Sequence, residues 1–202
     1  YAIFWSMVSI LMKKLIIGAT GAIGSAVSRN IQKNGGKTHL VGRNENELST
    51  LAKELGSTFT VADVLNENFS DVIIKDLGDQ EIDGLAFCVG SIDLKPLKLT
   101  KKSDYMQCFN LNLISATEII RACHDKLKKN KGSIVLFSTV AARKGFINHS
   151  IISSAKSAVE GLTVALAAEF APNVRVNCIA PSLSKSKMAS SMLKNEKIAD
   201  SI

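Results

Sequence analysis

The sequence has few prolines, few aromatic residues and no closely spaced cysteines, and each shortage argues against a class of protein. Three prolines among 202 residues leave little room for long disordered linkers. Aromatic residues make up 5% of the chain and no RNA- or DNA-binding motif is present, so we expect no nucleic-acid partner. The four cysteines form no CxxC pair and no zinc-ligand spacing, so we expect no metal site and reduced thiols in a cytoplasmic protein.

The apolar N-terminal segment, residues 1–12, is too short to cross a bilayer and lacks the charged start and cleavage site of a signal peptide. The chain does not begin with methionine, so we expect the natural start near Met7 or Met12. We interpret residues 1–12 as a tag, a gene-model extension or a flexible segment, with a membrane tether as the alternative. The remaining residues, 13–202, are predicted to form one domain with no membrane partner.

The composition is that of an ordinary globular protein, with 46% hydrophobic and 21% charged residues. The net charge is +7, but the basic residues are scattered. Their densest run, at 126–131, is typical of the solvated end of a helix. A basic balance without a basic patch suits a small ligand with several phosphate charges.

Short apolar runs alternate with longer amphipathic stretches along the whole chain, which predicts strands alternating with helices. The predicted strands are 14–17, 38–41, 58–62, 82–89, 133–137 and 174–179. The predicted helices are 22–34, 45–55, 66–75, 103–129 and 150–170. Strands that alternate with helices in this way form a parallel sheet with helices on both faces.

A glycine-rich turn follows the first predicted strand and opens the first helix. Gly18, Gly21 and Gly24 are spaced as GxxGxxG, with Thr20 and Ile23 between them. Such a turn lets a pyrophosphate approach the backbone and meet the free N–H groups of the helix. The motif in this place predicts a dinucleotide site and a Rossmann-type α/β fold, doubly wound, in three layers, with strand order 3-2-1-4-5-6.

The end of the second strand indicates which dinucleotide is bound. Sites that prefer NAD usually carry an acid here for the ribose 2′-hydroxyl, whereas residues 42–44 include none. Arg43 instead offers a guanidinium that can pair with a 2′-phosphate. We therefore expect NADP(H) rather than NAD(H), although Arg43 is also compatible with a solvated loop.

With these motifs the chain resembles the short-chain dehydrogenase/reductase family over about residues 13–186. The resemblance implies further contacts to the cofactor, from the acid after strand three, the end of strand four and the turn after strand six. The residues that match these positions are Asp63, Val64, Cys88, Gly90, Pro181 and Leu183. Cys88 stands where the family usually has asparagine.

The same resemblance implies a catalytic set of serine, tyrosine, lysine and asparagine. Thr139, Lys156 and Asn112 match three of these positions, with Asn110 as a competing choice for the last. The family's tyrosine, four residues before the lysine, corresponds to Ile152. Isoleucine has no proton to donate, so we expect proton transfer by the family's ordinary acid–base mechanism to be strongly impaired. Lys156 would still bind the nicotinamide ribose.

Other groups are candidates for the missing proton: His149, Ser153, Ser154 and Lys156 itself. Two functions follow. One is an NADP(H)-dependent oxidoreductase for a carbonyl or alcohol substrate; the other is an NADP(H)-binding sensor or regulator without turnover. The resemblance also implies a homodimer or homotetramer built through helices 103–129 and 150–170. Residues 185–202 resemble a lid over the substrate, and we expect the domain to be truncated after them.

Overall fold

A parallel sheet runs through the computed structural model, which describes residues 12–182. Its six strands follow the order β3-β2-β1-β4-β5-β6, which confirms the predicted topology. They are β1 (Lys13–Ile17), β2 (Lys37–Gly42), β3 (Thr58–Val61), β4 (Ile82–Phe87), β5 (Ser133–Phe137) and β6 (Arg175–Ile179).

The strand order reverses beside β1, which pairs in parallel with both β2 and β4. At its carboxyl end Ile17 lies opposite Val41 of β2 and Phe87 of β4. The loops that leave these strands therefore diverge to opposite sides of the sheet. Open α/β sheets bind their ligands in the crevice that forms at such a point.

Helices cover both faces of this sheet. Helices α1 (Ala22–Lys33) and α2 (Glu45–Leu55) pack on one face, and α3 (Phe69–Leu77), α5 (Ser115–Lys129) and α6 (Ser150–Phe170) pack on the other. Side chains alternate along the strands between the two cores. In β1, for example, Leu15 and Ile17 join the second core, whereas Ile16 joins the first. The three-layer arrangement is the predicted one.

The predicted helix 103–129 is interrupted. It comprises α4 (Lys102–Phe109), a π-helical segment (Asn110–Ile114) and then α5. Inside the segment, the side-chain amide of Asn112 donates to the carbonyl oxygen of Cys108 at 2.9 Å. A side chain that bonds the backbone one turn earlier competes with the regular helical bond, and π-helical turns often mark functional sites.

The predicted helix 66–75 begins later than expected, at Phe69. Asp63 explains the delay, because its carboxylate accepts from the N–H of Leu65 and its carbonyl accepts from the N–H of Asn66. These bonds hold a turn where helix was expected. The strand predicted at 82–89 ends at Phe87. The N–H of Cys88 still donates to the carbonyl of Ile17 in β1, and the chain then leaves the sheet as a loop.

Helix α6 is the one helix of the described region that is long and apolar enough to span a membrane by length and composition. Its inner face carries Ile152, Ala155 and Val159, all buried beneath the neighbouring strands and helices. The central helix of a sheet protein has the same composition, so its apolarity assigns no membrane contact.

Candidate active site

The glycine turn between β1 and α1 leaves no space for side chains. Gly18 has φ +78°, and a Cβ there would lie 2.9 Å from Cγ2 of Val89. A Cβ on Gly24 would lie 2.3 Å from the carbonyl oxygen of Gly18, which no real contact permits. The N–H groups of Gly18 and Ala19 both donate to the carbonyl of Val41, which fixes the turn to β2. This tight cradle fits a pyrophosphate bound against the backbone.

The remaining residues of the turn complete the opening of α1. Gly21 is the N-cap, and no side chain caps the helix there. The first N–H groups of the helix have no intrahelical acceptors and are available to an anion. Ile23 is half-buried in the first turn, and the side chain of Thr20 lies beside Gly42, within 3.6–3.7 Å of where a Cβ would stand.

Arg43 is the residue after Gly42, directly beyond the end of β2. Its side chain is exposed, next to the turn that holds Thr20. Asn44 then caps α2, with its side-chain oxygen accepting from the N–H of Glu47 at 3.1 Å. The basic residue thus stands at the edge of the candidate dinucleotide site.

The loops after β3 and β4 form the neighbouring wall. Val64 is 8% exposed, and Asp63 is held in its turn beside it. Burial raises the pKa of the Cys88 thiol to about 12, so this cysteine is a neutral group. Gly90, two residues after Cys88, lies next to Lys156 of α6.

Lys156 is a buried cation at the centre of the site. Its side chain is 7% exposed, and its ammonium group donates to the carbonyl of Phe137 at 2.9 Å. Burial lowers the pKa of Lys156 to about 8, while nearby thiols oppose that shift. An ammonium with this pKa can release a proton near neutrality.

Asn112 faces the same point as Lys156. A Cβ built on Gly90 would lie 3.3 Å from both the side-chain oxygen of Asn112 and the ammonium nitrogen of Lys156. That oxygen is buried and has no hydrogen-bond partner among the described residues. Buried acceptors rarely stay unpaired, so this one fits a ligand or water. Asn110, the competing choice, is exposed on the helix surface.

Ile152 lies one turn before Lys156, in an apolar cluster. It is 5% exposed and packs with Cys108, Ile151 and Ala155. Thr139, at the end of β5, is half-buried, and its hydroxyl accepts from the N–H of Ala141 at 3.3 Å. That hydroxyl keeps its own proton to donate.

The other candidate proton donors differ in what they already bind. The hydroxyl of Ser153 donates to the carbonyl of Ala141 at 2.8 Å, and that of Ser154 bonds to backbone carbonyls of its own helix. Both serine protons are therefore committed. Nδ1 of His149 lies 2.7 Å from the carbonyl of Ile147. Lys156 is the titrating candidate that meets the Gly90 loop.

Three predicted features fall at the ends of the described region or outside it. Pro181 is half-buried, and its carbonyl accepts from the N–H of Val140 at 3.1 Å, so the turn after β6 reaches the end of β5. Leu183, the lid at 185–202 and the extension at 1–11 lie outside the described residues.

Glu160 was missed by the sequence analysis. Its carboxylate accepts from the hydroxyl of Ser138 at 2.8 Å and from Nε of Arg143 at 2.9 Å. These hydrogen bonds lower the pKa of the Glu160 carboxyl, and the bond from Arg143 has the larger effect. The available signal was its position, because a residue four after Lys156 shares that lysine's helix face.

The sequence profile of the short chain dehydrogenase family matches residues 13–197. The chain belongs to this family. A tropinone reductase homolog of Arabidopsis thaliana is 29% identical over 198 residues, which cover 93% of this chain and 75% of the relative. A 3-oxoacyl-[acyl-carrier-protein] reductase of Rickettsia bellii is 27% identical over 188 residues, covering 92% and 78% of the two chains.

Solved structures give the same result for the fold. A short chain dehydrogenase/reductase family protein superposes with a TM-score of 0.85 at 26% identity, covering 91% of this chain and 79% of that one. An actinorhodin polyketide ketoreductase solved with NADPH has a TM-score of 0.81 at 23% identity, covering 91% and 74%. Members of this oxidoreductase family bind nicotinamide cofactors and act on small molecules.

Proposed function

We propose that this protein is an NADP(H)-dependent oxidoreductase that interconverts a carbonyl compound and an alcohol, with Ile152 at the position of the family's tyrosine. The observation that carries the proposal is the meeting of Lys156 and the unpaired oxygen of Asn112 at the Gly90 loop. The glycine cradle at Gly18 and Gly24 lies at the same edge of the sheet. A site that only stabilised the fold would have no need of a buried lysine and an unpaired acceptor.

The chain's residues divide the work between binding and proton transfer. The cradle and the N-terminus of α1 would hold the pyrophosphate, and Lys156 and Asn112 the nicotinamide side. The cofactor supplies the hydride. The Thr139 hydroxyl would donate to the carbonyl oxygen of the substrate. Lys156 would give the proton that the alcohol needs, because burial has brought its pKa to about 8.

Cofactor choice tests the binding half of the proposal. Arg43 would pair with a 2′-phosphate, so we expect NADPH to bind at least about tenfold more tightly than NADH, the worth of one charge-assisted contact. Fluorescence titration of both cofactors against the parent chain and Arg43→Ala measures this. The preference should disappear in the variant, whereas equal affinities in the parent chain would contradict it.

The position of the pyrophosphate has its own variant. Gly24→Val places a branched side chain where even a Cβ meets the carbonyl of Gly18 at 2.3 Å. Because the same change also strains the turn, Ala26→Val on the exposed face of α1 serves as the control for a branched side chain in the same helix. NADPH binding should be lost in the first variant and kept in the second. Normal binding by a folded Gly24→Val would show that the phosphate site lies elsewhere.

One observation favours a second candidate, an NADP(H)-binding sensor or regulator without turnover. Ile152 is packed among apolar neighbours, and no hydroxyl occupies its place beside Lys156. Cofactor binding without NADPH oxidation, across a panel of aldehydes and ketones, would favour this candidate over the oxidoreductase.

A cytoplasmic location remains a prediction from the cysteine content.

A further inference from the structure

A cavity borders the candidate active site, at the loop between β5 and α6. Its volume is about 450 Å³, and its walls include Leu97, Ala141, Phe146 and Ser153. Ser153 directly follows Ile152, and the N–H of Ala141 donates to the Thr139 hydroxyl. A substrate whose carbonyl reached Thr139 would therefore extend into this cavity.

The charge of the cavity is one-sided. Arg143 and Lys144 line it together with His149, and none of the described residues in its wall is acidic. Leu97 and Phe146 supply apolar surface beside these groups. A cavity lined by basic groups together with apolar ones suits an organic anion better than a neutral polar compound.

Arg143 is held in place rather than loosely solvated. Its Nε donates to Glu160, which also accepts from the buried hydroxyl of Ser138. The pair occupies one edge of the guanidinium, and the side chain is otherwise 80% exposed. An anchored guanidinium with open N–H groups can bind a carboxylate or phosphate at low entropic cost.

Hydrogen bonds also order the backbone of the loop that carries Arg143 and Lys144. The N–H groups of Arg143 and Lys144 both donate to the carbonyl of Val140, at 3.1 and 2.9 Å. Nδ1 of His149 lies 2.7 Å from the carbonyl of Ile147, which requires that nitrogen to carry the proton. Nε2 is then the ring nitrogen left for a ligand.

We infer that the substrate is a carbonyl compound that carries an anionic group, which Arg143 and Lys144 bind while its apolar portion rests on Leu97 and Phe146. The inference rests on the proposed function, because it takes this cavity as the substrate side of the oxidoreductase site. Carboxylates and phosphates share the chemistry that such a site recognises, and the test separates them.

Ligand binding to the NADPH-loaded protein, followed by isothermal titration or ligand-observed NMR, tests the inference without any need for turnover. The probes are 4-oxopentanoate and 5-oxohexanoate, each against its methyl ester, and dihydroxyacetone phosphate against dihydroxyacetone. At least one anion should bind about fivefold or more tightly than its neutral partner, a modest value because the basic groups are partly solvated. The pair that shows the larger ratio identifies the anion as carboxylate or phosphate.

Three variants assign that preference to the cavity. Arg143→Gln/Lys144→Gln should reduce the ratio to below about twofold. Lys144→Gln alone should lower it partly and leaves the Arg143–Glu160 pair intact, so it covers a folding defect in the double variant. Lys128→Gln removes one exposed charge from the last turn of α5 and should change nothing.

Neutral and anionic partners that bind equally well, or a preference that survives the double variant, would overturn the inference. Neither result touches the proposed function, which fails instead if NADPH is never oxidised. Conversely, a clear preference for anions without oxidation would leave the cavity assigned and refute turnover.

Discussion

Ile152 and Lys156 lie one helical turn apart on α6, and both side chains are buried, at 5% and 7% exposure. The lysine thus has an aliphatic neighbour where a proton donor would share its helix face. Without that donor the lysine ammonium is left as the buried cation beside Gly90, 3.3 Å from where a Cβ of that glycine would stand. This relationship determines what the site can do and how it should respond to substitution.

Ile152→Tyr should raise carbonyl reduction at least about tenfold, the low side of what a positioned acid contributes. The ammonium of Lys156 would lower the pKa of the new phenol, and the Thr139 hydroxyl would meet the same substrate oxygen. Initial rates of NADPH oxidation with a reactive ketone measure the change.

The gain should vanish in Ile152→Tyr/Lys156→Met, because the phenol then lacks its charged neighbour. Ile152→Phe controls for the size of the ring, since it adds the same bulk without a hydroxyl. An unchanged rate in a folded, NADPH-binding Ile152→Tyr variant would show that the pocket geometry differs from the one we describe. His149→Gln and Ser153→Ala would then test the other donors.

The pH dependence of reduction should follow Lys156. Burial lowers its pKa to about 8, so the ammonium form that donates the proton is lost as the pH rises through that value. We expect kcat/KM for reduction to be level below pH 7.5 and to fall above pH 8.5. In Lys156→Arg, whose guanidinium stays protonated, the residual rate should show no such fall. A parent profile that stays level to pH 10 would exclude Lys156 as the donor.

The strands and the glycine turn were predictable from local sequence, and the strand order followed from the position of that turn and the handedness of the crossovers. Apolar runs of strand length, separated by helical stretches, specify the sheet, and Gly18 and Gly24 stand where a side chain cannot fit. The π-helical segment was not predictable in the same way. It depends on the side chain of Asn112 reaching the carbonyl of Cys108, whereas the helical periodicity of the residues around it continues without a break.

The candidate site was predictable as a set of positions but not as a set of contacts. The spacing of Ile152 and Lys156 placed them on one face, yet the pKa of the lysine depends on burial by residues far away in the sequence. The Glu160–Arg143 pair likewise joins a helix to a loop, and the cavity beside it exists only once both are folded. The roles predicted for Leu183 and for the lid at 185–202 remain predictions, because these residues lie outside the described part of the chain.

Stability in mild acid should depend on His39, which sequence analysis did not single out. It lies in β2 at 1% exposure, with its ring nitrogens 2.8 Å from the hydroxyls of Thr58 and Thr60. Burial, with a smaller effect of the Lys13 charge, lowers its pKa to about 4 from 6.5. The unfolded chain therefore binds the proton first, and stability is lost as the pH falls from 6.5 towards 4.

Between pH 7 and pH 5 the free energy of unfolding should fall by about 2 kcal/mol on account of this one group. Urea unfolding at the two pH values measures the loss. His39→Gln should be less stable at pH 7 but should lose much less between the two values, whereas His124→Gln, on helix α5, should behave as the parent chain does. Equal losses in the parent chain and His39→Gln would contradict this.

Assembly should involve the outer face of α6. Gly161, Val164, Ala165 and Ala168 are exposed at helical spacing, and Val164 is 72% exposed. We predict a dimer in which this face and the adjacent α4–α5 region pack on the same elements of a second copy. Val164→Glu should give a monomer by light scattering. Lys128→Glu, in the basic run outside this face, should leave the dimer intact, and a monomeric parent chain would refute the prediction.

Isotope transfer tests the central claim, hydride transfer between NADP(H) and a carbonyl compound, most directly. The parent chain is incubated with NADPH deuterated at both C4 positions and with a panel of aldehydes and ketones, and the products are examined by mass spectrometry and NMR. The account predicts deuterium on the carbinol carbon of at least one alcohol, with one equivalent of NADPH oxidised per alcohol formed, and a large loss of both in Lys156→Met. Tight binding of NADPH with no deuterium in any product would contradict it.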